Sequence, residues 1–261
     1  MELKYGKDYH NYFDVENYLD FYRDPKLSEF QYVARHDEFW SRLAPRKNLR
    51  VLNFGGGPVI SDLISVAPFV EEIIFAEYSE RNQQAVEKWR QNLPDSHDWS
   101  AHFRFIVENL EGRSREEAAI RESELRRKIT HILPCDIEWD NPVKWPSSWG
   151  SQSAMFDVVT TSLCLQACVT SKESYRHAIG KLKRYLKPGG YIVMYGVTEE
   201  KYYFVGQERF YCFPLTTNLI EETLASEGFK MFNEIKLLAV SLEPYGDAKE
   251  IFFVTATLEE V

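Results

Sequence analysis

Between Arg50 and Glu77 the chain runs apolar strand, glycine turn, helix-length segment and apolar strand. No other feature constrains its fold as much. Arg50-Val51-Leu52-Asn53-Phe54 leads into Gly55-Gly56-Gly57-Pro58; Ile60 to Ala67 is helix-compatible, and Glu72-Ile73-Ile74-Phe75-Ala76-Glu77 follows. Strand, crossover helix and strand in this order predict a parallel βαβ unit. The alternation continues. Ser79 is placed to cap a helix with Ala85, Val86 and Trp89 on one face. Thr130 to Cys135 reads as a third strand ending at Asp136, and Phe156 to Thr161 as a fourth. Thr170 and Glu173 box a helix that stops at Lys187-Pro188-Gly189-Gly190, and Tyr191 to Tyr195 is the fifth strand. A hairpin near Lys201 to Phe213, a helix from Asn218 and closing strands over Lys230 to Val240 and Ile251 to Thr257 complete the pattern. The expectation is an α/β chain with a mostly parallel sheet and one antiparallel strand.

Two segments stand outside this alternation. Asp8 to Leu43 reads as helices, with Asp24 and Pro25 as an N-cap and first helical position and Leu27, Phe30, Ala34, Trp40 and Leu43 at helical spacing. Asp98 to Lys128 is helical and polar, with Ser114 and Glu117 at capping-box spacing, and is expected as a surface insertion. Glu138 to Ser153, with Pro142, Pro146 and Gly150, is expected as a loop.

Composition narrows the partners. The 261 residues are 44% hydrophobic and 27% charged, which is globular, and the net charge of -9 disfavours nucleic acid and suits a cationic small molecule. Aromatic residues at 15% leave enough for a pocket wall beyond the core. No run approaches a membrane span, and Met1 to Tyr9 has no apolar leader stretch, so a cytoplasmic chain is expected. Cys135, Cys164, Cys168 and Cys212 form no CxxC pair and read as buried thiols; no metal is expected.

In open α/β sheets ligands sit beyond the carboxyl ends of the strands. The glycine turn permits close backbone approach, or is a plain structural turn. Pro58 removes one amide where a pyrophosphate would want it. Glu77 is placed to accept from ribose hydroxyls, or is a solvated strand-end carboxylate. Asp136 is placed to accept from an adenine amino group with Ile137 covering the ring, or caps the following turn. Ser162 and Leu163 fall on the same rim.

With these residues in order, the chain resembles the nicotinamide, phenylethanolamine and indolethylamine N-methyltransferases. The resemblance rests on Gly55-Gly56-Gly57-Pro58, Glu77-Tyr78-Ser79, Glu87-Lys88-Trp89, Asp98-Trp99-Ser100, Leu110-Glu111-Gly112, Cys135-Asp136-Ile137, Leu163-Cys164-Leu165, Leu186-Lys187-Pro188-Gly189-Gly190 and Tyr202-Tyr203. It implies one Rossmann-like class I methyltransferase domain with a seven-stranded sheet. Residues 1–45 would be a helical lid and residues 46–261 the core, with the insertion at about 98–128. It implies S-adenosylmethionine as cofactor and S-adenosylhomocysteine as product. The family's cofactor positions fall on Tyr18, Gly55, Gly57, Glu77, Tyr78, Asn82, Asp136, Ile137, Ser162 and Leu163.

Its substrate positions fall on Tyr22, Gly196, Glu200, Tyr203 and Asp247, with Glu200 as the acid that meets the amine and takes its proton. Four departures stand out. Glu77 replaces the usual Asp, Ser61 a cofactor-contacting Tyr, and Arg23 a second lid Tyr. Gly196 replaces an Asp of the nicotinamide enzyme. The implied function is N-methylation of a small, phenylethanolamine-like amine by a monomer. The alternatives are a nicotinamide or pyridine N-methyltransferase, a catalytically weak cofactor-binding relative, and an NAD-dependent oxidoreductase. Glu200 and Asp247 are otherwise solvated loop carboxylates, and Glu77→Ala is expected to abolish cofactor binding without harming the fold.

Overall fold

A computed structural model describes residues 2–23, 29–42, 48–150, 154–232, 235–239 and 245–259. The helix start expected at Asp24 and Pro25 lies outside the described residues, with Leu27, Leu43, Ser153, Val240 and the side chains of Arg23 and Phe30. In chain order the strands are β1 (Leu3–Lys4), β2 (Leu49–Phe54), β3 (Val70–Glu77), β4 (Ile129–Pro134), β5 (Phe156–Ser162) and β6 (Leu186–Thr198). They continue with β7 (Tyr202–Val205), β8 (Glu208–Tyr211), β9 (Phe229–Met231), β10 (Lys236–Ala239) and β11 (Glu250–Leu258). The helices are α1 (Tyr9–Tyr12), α2 (Val15–Asp20), α3 (Glu29–Arg42), α4 (Glu80–Arg90), α5 (Ser100–Arg104), α6 (Arg115–Lys128), α7 (Leu165–Cys168), α8 (Lys172–Lys183) and α9 (Thr217–Ser226).

The main sheet runs β10-β11-β6-β5-β2-β3-β4, with β9 also paired to β11. The pairs from β6 through β4 are parallel, and β11 is antiparallel to β6. The central strands β2 and β5 are buried along most of their length, so neither alternates apolar with polar, and the polar Asn53, Thr160 and Thr161 are buried with their apolar neighbours. Each face packs its own core, one against α3 to α6 and the other against α8 and α9. A smaller sheet, β1-β8-β7, stands apart. Its member β1 was not expected from the sequence: two residues are too few to show a period, and Leu3 and Lys4 are extended because they pair with Arg209 and Phe210.

Several expected elements are corrected. The helix over Ile60 to Ala67 is instead two 3-10 turns, Ser61–Leu63 and Ala67–Phe69. Pro58 and Pro68 bracket the segment. The expected surface insertion is a structural layer. Trp99, Phe103, Ile106 and Val107 are fully buried, and α6 packs on β3, β4 and α4 as part of the crossover that two adjacent parallel strands require. The box at α8 is made by Ser171 and Ser174, one residue after the expected one. β6 begins at Leu186 and runs through the Pro-Gly-Gly stretch. The strand expected over Lys230 to Val240 is the separate pieces β9 and β10. Ser79 precedes α4, but its hydroxyl caps nothing; its amide is engaged instead.

Candidate functional site

The chain runs β2, β3, β4 in one direction across the sheet and then returns to place β5 on the other side of β2. At such a switch point the loops after neighbouring strands part, leaving a crevice. Here a cavity of about 1130 Å³ opens over the ends of β2 to β6, roofed by residues of the N-terminal helices and the β7–β8 hairpin. Among the described residues it is lined by Asp20, Asp62, Glu77, Asp136, Glu138 and Glu200 against one ammonium, Lys7, a balance that favours a cationic ligand.

The glycine turn is held from three sides. Gly55 and Gly57 have φ of 69° and 62°, and a Cβ at Gly55 would collide with Cys164 Sγ. Both the backbone conformation and the space therefore demand glycine. Gly55→Ala is expected to destabilise the fold by about 1–3 kcal/mol in urea unfolding. A midpoint unchanged from the parent would show that the turn relaxes freely.

Gly57 has nothing within 4 Å of its Cβ position, and its amide donates to Glu77 Oε2 at 2.9 Å. Glu77 Oε1 accepts from the Ser79 amide at 2.8 Å and Asn82 Nδ2 at 2.9 Å. Burial pushes the Glu77 carboxyl up, and these hydrogen bonds oppose it. The methylene that distinguishes Glu from Asp lets one carboxylate bridge the glycine turn and the start of α4.

Next along the rim, Asp136 Oδ1 accepts from the Glu138 amide at 2.9 Å, with Ile137 buried beside it. Asp136 thus caps its turn while lining the cavity. Ser162 Oγ donates to Asp62 Oδ2 at 2.9 Å, and Leu163 takes a φ of 50° while its amide bonds Tyr195 O. Asp62 was missed in the sequence, although an acid inside the apolar run Val59 to Ala67 was the available signal.

Aromatic side chains close the remaining wall. Tyr18 and Tyr22 hydroxyls approach to 3.3 Å, and Phe13 tilts against Tyr18 at 4.9 Å between centroids. The Tyr9 hydroxyl bonds the Tyr203 hydroxyl, and the His10 ring lies 4.5 Å from that of Tyr78, tying the N-terminal segment to the ends of the hairpin and β3.

Glu200 follows the turn after β6, only 5% exposed, and burial pushes its carboxyl up to about 7. The Cys212 thiol hydrogen-bonds it, and Asp247 adds like-charge repulsion. Two expected substrate residues do not line the cavity. Asp247 Oδ1 accepts the Lys201 and Tyr202 amides at 2.8 and 3.2 Å, which fixes the hairpin entry. Gly196 lies under the Phe252 ring, 2.6 Å from where its Cβ would be, so no side chain fits there; its neighbour Gln166 reaches the cavity instead. The other thirteen expected positions, Tyr18, Tyr22, Gly55, Gly57, Glu77, Tyr78, Asn82, Asp136, Ile137, Ser162, Leu163, Glu200 and Tyr203, come together on one wall system.

The profile of the NNMT/PNMT/TEMT family matches residues 2–258. The chain belongs to this family. Nicotinamide N-methyltransferase of Sus scrofa is 32% identical over 179 residues, 69% of this chain and 65% of that enzyme. Indolethylamine N-methyltransferase of Mus musculus is 31% identical over 210 residues, 79% of this chain and 75% of the enzyme. Phenylethanolamine N-methyltransferase of Mus musculus is 27% identical over 219 residues, 81% and 70%. The match to the first of these spans slightly under two thirds of that enzyme's length.

Among solved structures, magnesium protoporphyrin IX methyltransferase from Synechocystis with bound S-adenosylmethionine superposes with a TM-score of 0.59 at 11% identity, covering 96% of this chain and 93% of that one. The cyclase SpnF gives 0.59 at 14% identity with complete coverage of both chains. These likenesses establish the class I methyltransferase fold, and the cyclase shows that the fold alone does not dictate methyl transfer. S-adenosylmethionine is the cofactor of the NNMT/PNMT/TEMT family, and the acid-rich wall fits a ligand that carries a sulfonium and an ammonium. Family membership sets aside the NAD-dependent alternative. So does the 3-10 turn after the glycines, because it supplies no long helix N-terminus for a pyrophosphate.

Proposed function

We propose that this chain is an S-adenosylmethionine-dependent N-methyltransferase acting as a monomer on a small primary or secondary amine with an aromatic or apolar body. The observation that carries this reading is Glu200, a buried carboxylate on the cavity wall that titrates near neutrality. Glu77 faces the ribose, Asp136 the adenine amino group and Ile137 the ring, with Gly55, Gly57, Tyr78, Asn82, Ser162 and Leu163 completing that side and Tyr18 closing it.

When bound, S-adenosylmethionine supplies a methyl group already electrophilic on sulfur, so the chain needs no nucleophile of its own. The protein's task is to present a neutral amine in line. An amine arrives mostly protonated at neutral pH and then has no lone pair to donate. Glu200 attracts that cation and, near its own pKa, accepts the proton directly or through one water. Tyr22 and Tyr203 shape the amine's pocket, and the N-terminal segment Asp8 to Arg23 acts as a lid that excludes water. Alignment of the two reactants contributes on the order of 7–11 kcal/mol in favourable cases. Nicotinamide fits less well, since Gly196 has no room for the acid that the nicotinamide enzyme carries there. Among the described residues no helix is long and apolar enough to cross a membrane.

Calorimetric titration with S-adenosylhomocysteine, followed by a mass-spectrometric screen of amines and pyridines for methyl gain, tests the reading. Binding together with turnover of an amine is the expected result. A pyridine as best substrate overturns the amine assignment. Binding without turnover of any amine points to a non-catalytic relative.

A further inference from the structure

Taking Glu200 as the base described above, we propose that Cys212 and Gly246 are its positioning residues. The thiol donates to the carboxylate and the glycine leaves room for it, so that its other acceptor sites stay open to the substrate amine. Both residues act through Glu200 rather than on the amine.

Backbone pairing brings the three together although they are far apart in sequence. The β7–β8 ladder has Tyr202 opposite Tyr211. It continues toward β6 through the Cys212 amide donating to Lys201 O at 2.9 Å and the Glu199 amide donating to Leu215 O at 2.9 Å. Glu200 lies between these two bonds, so Cys212 falls beside it. Along the other edge of β7, Gly246 bridges Tyr203, and the Phe204 amide donates to Tyr245 O at 2.6 Å. A Cβ at Gly246 would collide with Glu200 Oε1, so the carboxylate can occupy this place only because the residue is glycine.

Among the described residues the Cys212 thiol is the one hydrogen-bond donor to the Glu200 carboxylate. Glu77 accepts from three donors, an arrangement that serves the glycine turn. A carboxylate offers about four lone-pair sites, so one thiol orients Glu200 and leaves most of them for a ligand. Burial pushes the Cys212 thiol up, and the adjacent Glu200 charge pushes it further. It therefore stays protonated, able to donate but not to act as a second base or as a thiolate nucleophile. Its bond favours the ionised form of Glu200, against burial and against repulsion from Asp247. Tyr203 and Tyr211 face the thiol in turn, and Lys249, close to Asp247, pairs with Glu199 at 2.9 Å.

Carbon-13 NMR of the side-chain carboxyls follows Glu200 without turnover, its resonance being the one missing from Glu200→Gln. The parent's midpoint is expected at about 7. Cys212→Ala removes the donor and should move this midpoint upward by roughly half a pH unit or more, and the rise of kcat/KM with pH should move with it. Cys212→Ser keeps a donor and should bring both back toward the parent. An unmoved midpoint in Cys212→Ala, or a serine variant that behaves like alanine, overturns the role of the thiol, because a thiol that only fills space would change stability and neither midpoint. Gly246→Ala should displace the flexible end of Glu200 and lower kcat/KM for the best amine roughly tenfold, with affinity for S-adenosylhomocysteine within about twofold of the parent. Full activity there, or equal loss of both quantities, overturns the role of the glycine, and this variant decides the matter if Cys212→Ala fails to fold. A parent that titrates as expected but methylates no amine overturns the base role of Glu200 alone, since the NMR midpoints still read the thiol contact.

Discussion

Glu200→Gln is expected to lower kcat/KM for the best amine by roughly tenfold or more while making the folded protein more stable above pH 7. The two effects have one cause. Burial holds the Glu200 carboxyl at about 7, against an ordinary value of 4.5, so the folded state keeps a proton that the unfolded chain has already lost. For a group whose folded pKa is raised, the stabilising contribution is complete below the unfolded value and is lost as pH rises through the folded one. Glu200 thus costs stability progressively from about pH 4.5 to 7, about 3 kcal/mol once the group is ionised.

Gln keeps the shape and removes that cost, but it also removes the charge that attracts the amine and the base that takes its proton. The parent's kcat/KM should rise with pH through about 7 as the carboxylate ionises. In the variant this rise should shift upward, toward the pKa of the amine. Thermal melts and pH–rate profiles measured on both proteins check this. Full activity in the variant, or a variant no more stable than the parent at pH 8, would count against a buried catalytic carboxylate.

Glu77→Ala should abolish tight binding of S-adenosylhomocysteine and also destabilise the fold, in contrast to the intact fold expected from sequence. Removing the carboxylate strips the acceptor from the Gly57 amide, the Ser79 amide and Asn82 Nδ2 together. Stranded buried donors cost about 1–3 kcal/mol each, partly offset by release of a buried charge and by water entering the cavity, so a net loss of about 3 kcal/mol is expected. Glu77→Asp separates the two roles. The shorter acid cannot span from Gly57 to Ser79 and Asn82, so stability should still fall, yet a ribose-facing carboxylate should keep ligand affinity within a few-fold. An Asp variant that binds as poorly as Ala would make Glu77 a support of the glycine turn rather than a ligand contact. Urea unfolding and calorimetry supply the two measurements.

The sequence by itself determined the features that depend on neighbours along the chain. The alternation of apolar strands with helices of 3.6-residue period, the glycines that need positive φ, the capping box at Ser114 and Glu117 and the row of strand ends at Gly55, Glu77, Asp136 and Ser162 were all legible. Each follows from backbone sterics or from burial of one face. Where local signals were mixed, boundaries slipped: Ser171 rather than Thr170 caps α8, and a helix-like apolar spacing between Pro58 and Pro68 gave two 3-10 turns.

The tertiary structure decided what depends on residues far apart in sequence. Asp62 meets Ser162, Tyr9 meets Tyr203, and Leu3 finds a strand only because Arg209 is beside it. Asp247 was drawn off to the Lys201 and Tyr202 amides, and Gly196 was covered by Phe252. The pKa of Glu200 belongs to the same class. Desolvation is a property of everything packed around a carboxyl, here the Cys212 and Asp247 segments among them, and no window of sequence around residue 200 contains it.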